Sequence, residues 1–583
     1  MAKIDVKNEK KVKKVVDDSI RAEVSDKVGE KSFKQKIRHL LRTRKRKVFV
    51  AIIFLLLIAT ILLAVPTTRY GIVGYFVKKD VSIIVKDKAT HKPVSQAVIT
   101  IGTKTAVTTS KGEAKVRGVP VGEYTVRVSK KYYKDDSQTY TVPIIGDVKS
   151  FDLQLTATGR QVGVSVTNKV TGSPLAKAIV KVGETSTSTD EKGLATIVLP
   201  ADKQALSGTV ELTGYNKVDI QVKVSDQTDV NKFNITPSGS LYYLSKATGK
   251  INVMKSNLDG SDARAVVTAT GNENDRETVL LAARDWQFLA LSAKKTTNKG
   301  GELYLVDAKT DQLKTIDEGN ASFQLVGWSG HKFIYIVNRN TTNYWDQKKQ
   351  TMKSYDADTG KITVLDEQTS IGTNGYDYEV EYIGSPYIQD NKIVYSKSWS
   401  RGNTYTVSDK KAAIMTINTD GSSKQRVKEF AVQRSLGIDA RLYEPREIYF
   451  KVSADNATSS YYEYEDGGLR SITYTDDKFY NSEYSTYLIS PNGEKTFWSD
   501  PRNGKNTLFI GNKDGKNEKT IVNESEYAAY GWYSDDYILL SRNGSELYIA
   551  SSSKSLGTQP LKITNYHKPS VSFIGYGSGY GGI

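Results

Sequence analysis

Cysteine is absent from the 583-residue chain, and histidine occurs only four times. The first absence excludes disulfide bonds, thiolate metal sites and cysteine nucleophiles. The histidines, His39, His91, His331 and His567, lie far apart and form no ligand spacing. The sequence also lacks a His-x-x-Glu motif, a Gly-x-Ser-x-Gly elbow and a Gly-rich phosphate loop. We therefore predict a protein without a catalytic motif, a bound cofactor or a metal site.

Charge is the next constraint. The net charge is +17, of which +10 falls within residues 1–47. The excess is therefore concentrated in one terminal segment, where it favours an anionic lipid surface over a nucleic-acid partner. We predict no nucleic-acid binding.

Charged residues are missing altogether from Val48–Val65, an 18-residue run with Thr60 as its one polar side chain. A helix of this length crosses a hydrocarbon core of about 30 Å. A cleaved signal peptide is the rival interpretation, but 47 residues precede the run and Pro66 disfavours cleavage. The five cations Arg42, Arg44, Lys45, Arg46 and Lys47 predict a cytoplasmic N-terminus. We expect a single-pass signal-anchor at 48–68, a linker at 69–79 and extracellular C-terminal domains.

Residues 8–41 carry apolar side chains at helical spacing, which predicts two short amphipathic helices within the cytoplasmic segment 1–47. Helices of this kind lie on a lipid surface. Docking of a cytoplasmic partner or self-association through the same residues is the alternative.

Residues 80–157 and 158–236 repeat one pattern at an offset of 81 residues. The offset is the same for Pro93 and Pro174, for Val98 and Ile179, and for Gly112 and Gly193. Short alternating runs between Gly and Pro predict a small β-sandwich in each copy. The Pro, the small-hydrophobic pair and the Gly turn resemble the carboxypeptidase regulatory-like family, a transthyretin-type sandwich. The segment Val119–Val126 also resembles the PEGA motif. The resemblance implies a spacer or binding domain without catalytic residues.

Residues 237–583 contain a four-strand unit that recurs every 45–60 residues, with Asx-Gly turns such as Asn257–Gly260 and Asn512–Gly515. This period is typical of a β-propeller. Seven blades are favoured, and six or eight also fit. The first unit lacks an innermost strand, which Val571–Tyr576 is predicted to supply. Leu488–Lys495 with Ser499–Gly504 resembles the TolB-like propeller repeat.

Long second-to-third strand connections, such as Asn338–Lys349, Ser398–Lys410 and Ser499–Asn506, predict a working surface on one face of the propeller. Aromatic and arginine side chains in that region are the usual anchors of an interface. The candidate residues are Tyr344, Trp345, Tyr376, Tyr378, Trp399, Arg401, Tyr405 and Arg502. The alternative is that these side chains pack on their own strands.

The sequence thus predicts a mainly β, membrane-anchored bacterial surface protein. Its propeller, presented on two sandwiches, would bind an extracellular protein or an envelope glycan. A propeller-class enzyme acting on cell-wall glycan or peptide, and an envelope-organising structural protein, remain as alternatives.

Overall fold

The chain is described here by a computed structural model that covers most of the sequence. The described residues are 44–64, 66–224, 230–294, 300–343, 345–374, 377–402, 410–432, 435–444, 447–454, 458–465, 467–473, 488–502, 505–522, 526–553 and 560–568. Predictions that concern the amphipathic helices within 8–41, Tyr344, Tyr376, Tyr405 and the closing strand Val571–Tyr576 lie outside these residues. Contacts divide the chain into two compact units. One is Met1–Arg160 with Val198–Gln204, and the other is Gln161–Ile197 with Ala205–Ile583.

The described part of the first unit begins with two helices, α1 (Arg44–Ala64) and α2 (Pro66–Phe76). Across the described residues, no helix combines the length and the apolar character that crossing a membrane requires. The linker predicted at 69–79 is not observed. Most of that stretch is α2, and the first strand begins at Lys78. The helix forms because Val73, and Val77 just after it, pack against the domain that follows.

The first sandwich contains seven strands in two sheets. They are β1 (Lys78–Asp87), β2 (Val98–Ile101), β3 (Lys104–Val107), β4 (Glu113–Pro120), β5 (Gly122–Ser129), β6 (Asp136–Val142) and β7 (Phe151–Leu155). The sheet orders are β4-β1-β7 and β3-β2-β5-β6, with β1 and β7 parallel. Alternation in β1 buries Val81, Ile83 and Val85 completely. Because successive side chains point to opposite faces of a strand, these residues form the core between the sheets.

The second sandwich repeats this plan. Its strands are β8 (Gly159–Asn168), β9 (Ile179–Val182), β10 (Thr185–Ser188), β11 (Leu194–Pro200), β12 (Ala205–Glu211), β13 (Val218–Lys223) and β14 (Asn231–Ile235). The orders β11-β8-β14 and β10-β9-β12-β13 match those of the first sandwich strand for strand. The 81-residue repeat in the sequence is therefore a repeat of structure.

The remaining strands form antiparallel sheets that follow one another along the chain. Sheet 1 is β15 (Ser240–Ser245), β16 (Asn252–Asn257) and β17 (Arg264–Val267); sheet 2 is β18 (Val279–Ala282), β19 (Phe288–Lys294), β20 (Gly301–Asp307) and β21 (Gln312–Gly319); sheet 3 is β22 (Ala321–Ser329), β23 (Lys332–Arg339), β24 (Gln350–Asp356) and β25 (Ile362–Glu367).

The next strand, β26 (Thr369–Asn374), leads into sheet 4. Sheet 4 is β27 (Asp377–Gln389), β28 (Lys392–Arg401), β29 (Lys411–Asn418) and β30 (Gln425–Ala431); sheet 5 is β31 (Leu436–Glu444), β32 (Glu447–Ala454), β33 (Ser460–Glu465) and β34 (Gly468–Ile472); sheet 6 is β35 (Leu488–Ile489), β36 (Lys495–Arg502), β37 (Lys505–Asn512) and β38 (Lys519–Val522); sheet 7 is β39 (Tyr527–Ser534), β40 (Tyr537–Arg542), β41 (Glu546–Ser551) and β42 (Leu561–Asn565).

Sheets 4 and 5 are joined into one nine-stranded sheet by a single pair, Trp399 with Leu436. In the described part of the chain, one three-stranded meander and six four-stranded meanders make seven sheets, the number that the turn spacing favours. Sheets 2 and 3 share a buried core, as do sheets 3 and 4, sheets 4 and 5, and sheets 6 and 7. One further core combines residues of sheets 1, 2 and 7, so the last sheet packs against the first. This arrangement is that of a β-propeller.

Sheet 1 has three strands among the described residues, in agreement with a first repeat that lacks its innermost strand. The chain leaving β42 returns to this sheet, where the backbone N–H of His567 donates to the carbonyl of Leu244 at 2.8 Å. Leu244 lies in β15, the strand of sheet 1 that has no neighbour on its inner side in the described residues.

Candidate functional site

Of the eight predicted binding residues, the structure brings Trp345 and Tyr378 into direct contact. Their ring centroids are 4.7 Å apart and the planes are inclined by 14°, so the rings are stacked. We call these two residues the aromatic pair. Trp345 comes from the β23–β24 connection of sheet 3, and Tyr378 lies at the start of β27 in sheet 4. Both side chains are half-buried, and burial raises the pKa of the Tyr378 hydroxyl.

The loop that carries Trp345 is held against β26 by side-chain hydrogen bonds. Gln347 donates to the carbonyl of Ser370, and Gln368 donates to the carbonyl of Asp346 at 3.1 Å. Both bonds involve the two residues that directly follow Trp345, and they hold this part of the loop beside β26. The aromatic pair is therefore an ordered feature of this face and not a loose loop.

Arg401 lies beside the aromatic pair. Its guanidinium is 2.8 Å from the carboxylate of Glu379, and the backbone N–H of Gly402 donates to the carbonyl of Tyr378 at 3.0 Å. The Arg401 side chain is 6% exposed and that of Glu379 is 19% exposed. Ion pairs with this degree of burial keep a fixed geometry because water competes weakly for them. The site thus combines two stacked rings with one oriented charge pair.

Trp399 does not belong to this surface. It is 7% exposed, packs in the core shared by sheets 4 and 5, and donates its indole N–H to the carbonyl of Lys411 at 2.8 Å. The prediction was wrong because β28 continues through Arg401, so that Trp399 falls on a core-facing position of a strand.

Arg502 also lies in a strand and not in a long loop. Strand β36 extends to Arg502, which pairs with Lys505 at the start of β37. Most of the predicted long connection at Ser499–Asn506 therefore lies in these two strands. Tyr344, Tyr376 and Tyr405 lie outside the described residues.

A buried ionic cluster lies close to the aromatic pair in sequence, along the seam between sheets 3 and 4. The ammonium of Lys397, 4% exposed, is 3.2 Å from carboxylate oxygens of both Asp366 and Glu381. Lys424 pairs with Asp366 at 2.6 Å, and Arg426 pairs with Glu381 at 2.7 Å. Burial would raise the pKa of Asp366, but the two lysines outweigh it and the pKa is lowered. Each acid has two cationic partners, so the cluster fixes the seam.

The structure also contains two clusters of ionisable side chains that the sequence did not predict. His331 lies between two carboxylates, with Nε2 2.7 Å from Asp285 and Nδ1 2.9 Å from Asp358. Hydrogen bonding to Asp285 is the main cause of a raised pKa for His331, and Asp358 adds to it. Asp285 belongs to a turn of sheet 2, whereas His331 and Asp358 lie in turns of sheet 3. The histidine therefore fastens neighbouring sheets.

Glu447, Glu463 and Glu465 form the second cluster. One oxygen of each lies within 4.8 Å of the others, a geometry that could hold a metal ion. Glu463 already accepts two hydrogen bonds from Arg470. Because a cation of the chain occupies this carboxylate, the cluster is better described as an ion pair between the buried Glu463 and the exposed Arg470.

Tryptophans of sheets 2, 3 and 7 fasten the sheets from a position near or just after the end of the first strand of the sheet. Trp328 donates its indole N–H to Leu281 O at 3.0 Å, and Trp532 donates to Leu488 O at 2.7 Å. Trp286 donates to Trp532 O at 3.0 Å. Each acceptor lies in the first strand of a preceding sheet. Trp286 of sheet 2 reaches sheet 7, since the described part of sheet 1 has no corresponding strand.

The sequence was compared with protein families, curated proteins and solved structures. The model of the carboxypeptidase regulatory-like domain matches residues 80–156, which confirms the resemblance proposed for the first sandwich. No curated protein matches the sequence.

Among solved structures, an oligogalacturonate lyase from Vibrio parahaemolyticus is similar at 15% identity with a TM-score of 0.30, covering 54% of this chain and 87% of that one. The β-propeller domain of the Trilobed protease from Pyrococcus furiosus is similar at 11% identity with a TM-score of 0.30, covering 68% and 98%. TolB from Acinetobacter baumannii is similar at 12% identity with a TM-score of 0.24, covering 54% and 77%. At these scores the fold assignment rests on the sheet topology described above.

Proposed function

We propose that the protein is a single-pass, membrane-anchored cell-surface protein that binds a protein or an envelope glycan through its propeller. The aromatic pair with the Glu379–Arg401 ion pair beside it is the observation that carries the binding proposal. Aromatic rings and arginine dominate the energy of protein interfaces. Half-buried rings of this kind also stack on sugar rings. The chemistry proposed is recognition and not catalysis.

The anchor is proposed from sequence alone. The uncharged run Val48–Val65 and the cations that precede it support an N-terminus inside the cell. A protease added to intact cells should then degrade the propeller. Survival of the propeller in intact cells, together with its degradation after lysis, would contradict this topology.

Binding is tested with the full-length protein in nanodiscs, probed separately with purified cell-wall glycan and with a detergent extract of surface proteins. The double variant Trp345→Ala/Tyr378→Ala should lower the affinity by roughly tenfold or more, since central aromatic anchors contribute about 2 kcal/mol or more. The matched control is Phe430→Ala/Tyr462→Ala, which removes another pair of partly buried rings, 5.2 Å apart, from β30 of sheet 4 and β33 of sheet 5. An equal loss in both variants would place the binding surface elsewhere.

A further inference from the structure

Helix α2 is fixed to the first sandwich by one face. Val73 and Val77 pack against the sandwich core, and the backbone N–H of Val121 donates to the carbonyl of Val77 at 3.1 Å. Gly74 is buried at this contact, where an added Cβ would lie 2.8 Å from Val121 O. The absence of a side chain at Gly74 lets the helix approach the β4–β5 turn closely. Helix and sandwich are therefore one body.

The opposite face of α2 is apolar and exposed. Tyr75 is 78% exposed, Phe76 is 79% exposed and Ile72 is 48% exposed. A helix on the surface of a water-soluble domain carries polar side chains on its outer face. This face therefore requires an apolar neighbour.

A second apolar side chain lies at the same end of the sandwich. Val142, at the end of β6, pairs with Gly122 beside the β4–β5 turn. In the connection that follows, Ile144 packs against the core whereas Ile145 is 90% exposed. Lys79 donates to the carbonyl of Gly146 at 2.6 Å, which ties this loop to the start of β1.

We propose that this end of the first sandwich lies in the headgroup region of the lipid bilayer, with Ile72, Tyr75, Phe76 and Ile145 inserted as an interfacial patch. The inference rests on the proposed anchor and adds to it a docked orientation for the first sandwich. Apolar faces of this kind lie about 5–10 Å below the headgroup surface.

Position in the chain and charge favour lipid over a protein partner. The uncharged run that ends at Val65 leads directly into α2, which begins at Pro66. Aromatic side chains flanked by cations are typical of a membrane–water interface, and here Arg69, Lys78 and Lys79 flank the aromatic residues. Of the acids near the patch, Asp80 is neutralised by Lys115 at 3.2 Å and accepts the N–H of Gly118 at 3.0 Å, and Asp147, two residues after Ile145, is outnumbered by the cations. The patch therefore presents cations to lipid phosphates.

The absence of cysteine makes the test direct. Single-cysteine variants of the full-length protein are labelled with an environment-sensitive fluorophore and reconstituted into vesicles of phosphatidylcholine and phosphatidylglycerol. We expect labels at Ile145→Cys and Phe76→Cys to lose quenching by aqueous iodide and to gain quenching by doxyl-labelled lipid. Val107→Cys is the matched control, because Val107 is also an exposed apolar residue, 56% exposed, at the opposite end of the sandwich.

A label at Leu55→Cys, within the uncharged run, separates the two proposals. Lipid quenching at Leu55 together with iodide quenching at Ile145 equal to that at Val107 would overturn the docked orientation alone. Iodide quenching at Leu55 would overturn the anchor. Cross-linking between copies through Ile145→Cys, with no lipid quenching, would assign the patch to a second copy of the chain and likewise overturn the lipid proposal.

Discussion

The two sandwiches follow one strand plan but differ at the end of the first strand. Asp87 ends β1, and Asn168, 81 residues later, ends β8. Both side chains cap the turn that follows. Asp87 Oδ1 accepts the N–H groups of Ala89 and Thr90, and Asn168 Oδ1 accepts those of Val170 and Thr171. The cap is a shared requirement of the fold.

The two caps differ in the other partners that their side chains contact. Asp87 pairs with Arg160 at 3.2 Å, where the two side chains are only 3% and 10% exposed. Asn168 instead donates to the hydroxyl groups of Tyr215 at 3.1 Å and Tyr537 at 2.9 Å. Tyr537 belongs to sheet 7 of the propeller.

The second sandwich makes two further contacts with the propeller. Val170 packs in the core of sheets 1, 2 and 7, and Lys169 pairs with Asp259 at 2.7 Å. One position of the repeat thus carries a charge pair in one copy and a neutral bridge to the propeller in the other. The negative charge of the Asp87 carboxylate and the N–H groups of the Asn168 amide separate the two roles.

The largest expected effect is the loss of stability when each cap is removed, and this loss should differ between the two sandwiches. Asp87→Ala takes away the carboxylate partner of a buried guanidinium and should lower the free energy of unfolding by about 3 kcal/mol. Asn168→Ala loses neutral hydrogen bonds and should cost about 1–2 kcal/mol. Denaturant titration of the full-length protein measures both losses. Asp87→Asn keeps the cap geometry, and a loss as large as that of Asp87→Ala would assign the effect to the ion pair.

Alanine substitution in the glycine turn should destabilise both sandwiches equally, in contrast to removal of the caps. Gly112 and Gly193 have φ angles of +72° and +70°, and an added Cβ would lie 2.6 Å from Val85 O and 2.5 Å from Val166 O respectively. Alanine at either position should cost about 2 kcal/mol or more in the free energy of unfolding, because left-handed strain and a backbone clash combine. Gly172→Ala is the control, since its φ is +67° but no atom lies within 4 Å of the added Cβ. Equal losses at all three positions would remove the clash from the explanation.

The smallest expected effect is on the pH dependence of stability. This dependence should have opposite directions at the two caps. Burial would raise the pKa of Asp87, but hydrogen bonding from Thr90 and pairing with Arg160 outweigh it and the pKa is lowered. Its contribution to stability is present above the unfolded pKa near 4 and is lost as the pH falls through the folded value.

At the second cap, burial raises the pKa of Tyr537 to about 12. Its contribution is present below the unfolded pKa of about 10 and is lost as the pH rises toward the folded value. When denaturation midpoints are measured against pH, Asp87→Asn should flatten the acid slope and Tyr537→Phe the alkaline slope, while other buried acids and tyrosines retain their contributions. A slope unchanged from that of the wild-type protein would contradict the assignment.

Periodicity was sufficient to predict the strand-rich architecture. The alternation in Val81–Val85 is a local signal, and the constant 81-residue offset shows that such local patterns occur twice. The sandwiches follow both. Helix α2 was missed because its formation depends on contacts of Val73 and Gly74 with a turn nearly 50 residues away. No window of sequence contains that information.

The candidate site was predictable only in part. The sequence proposed Trp345, Tyr378 and Arg401 as candidates, but it could not distinguish them from Trp399. The position at which a strand ends depends on its pairing with another strand that can be distant in the sequence. The Asp285–His331–Asp358 group joins turns from two sheets and leaves no local pattern. The fastening tryptophans did leave a signal, since Gly precedes both Trp328 and Trp532 near the end of a strand.

These tryptophans have a consequence for the evolution of a β-propeller. Sheets 2 and 7 each carry both halves of the fastening, since each donates an indole N–H to another sheet and offers a carbonyl of its first strand to a tryptophan of another sheet. Gene duplication of a single sheet would therefore copy a working joint along with the strands. Blade number can grow or shrink in evolution without any new interface having to arise first.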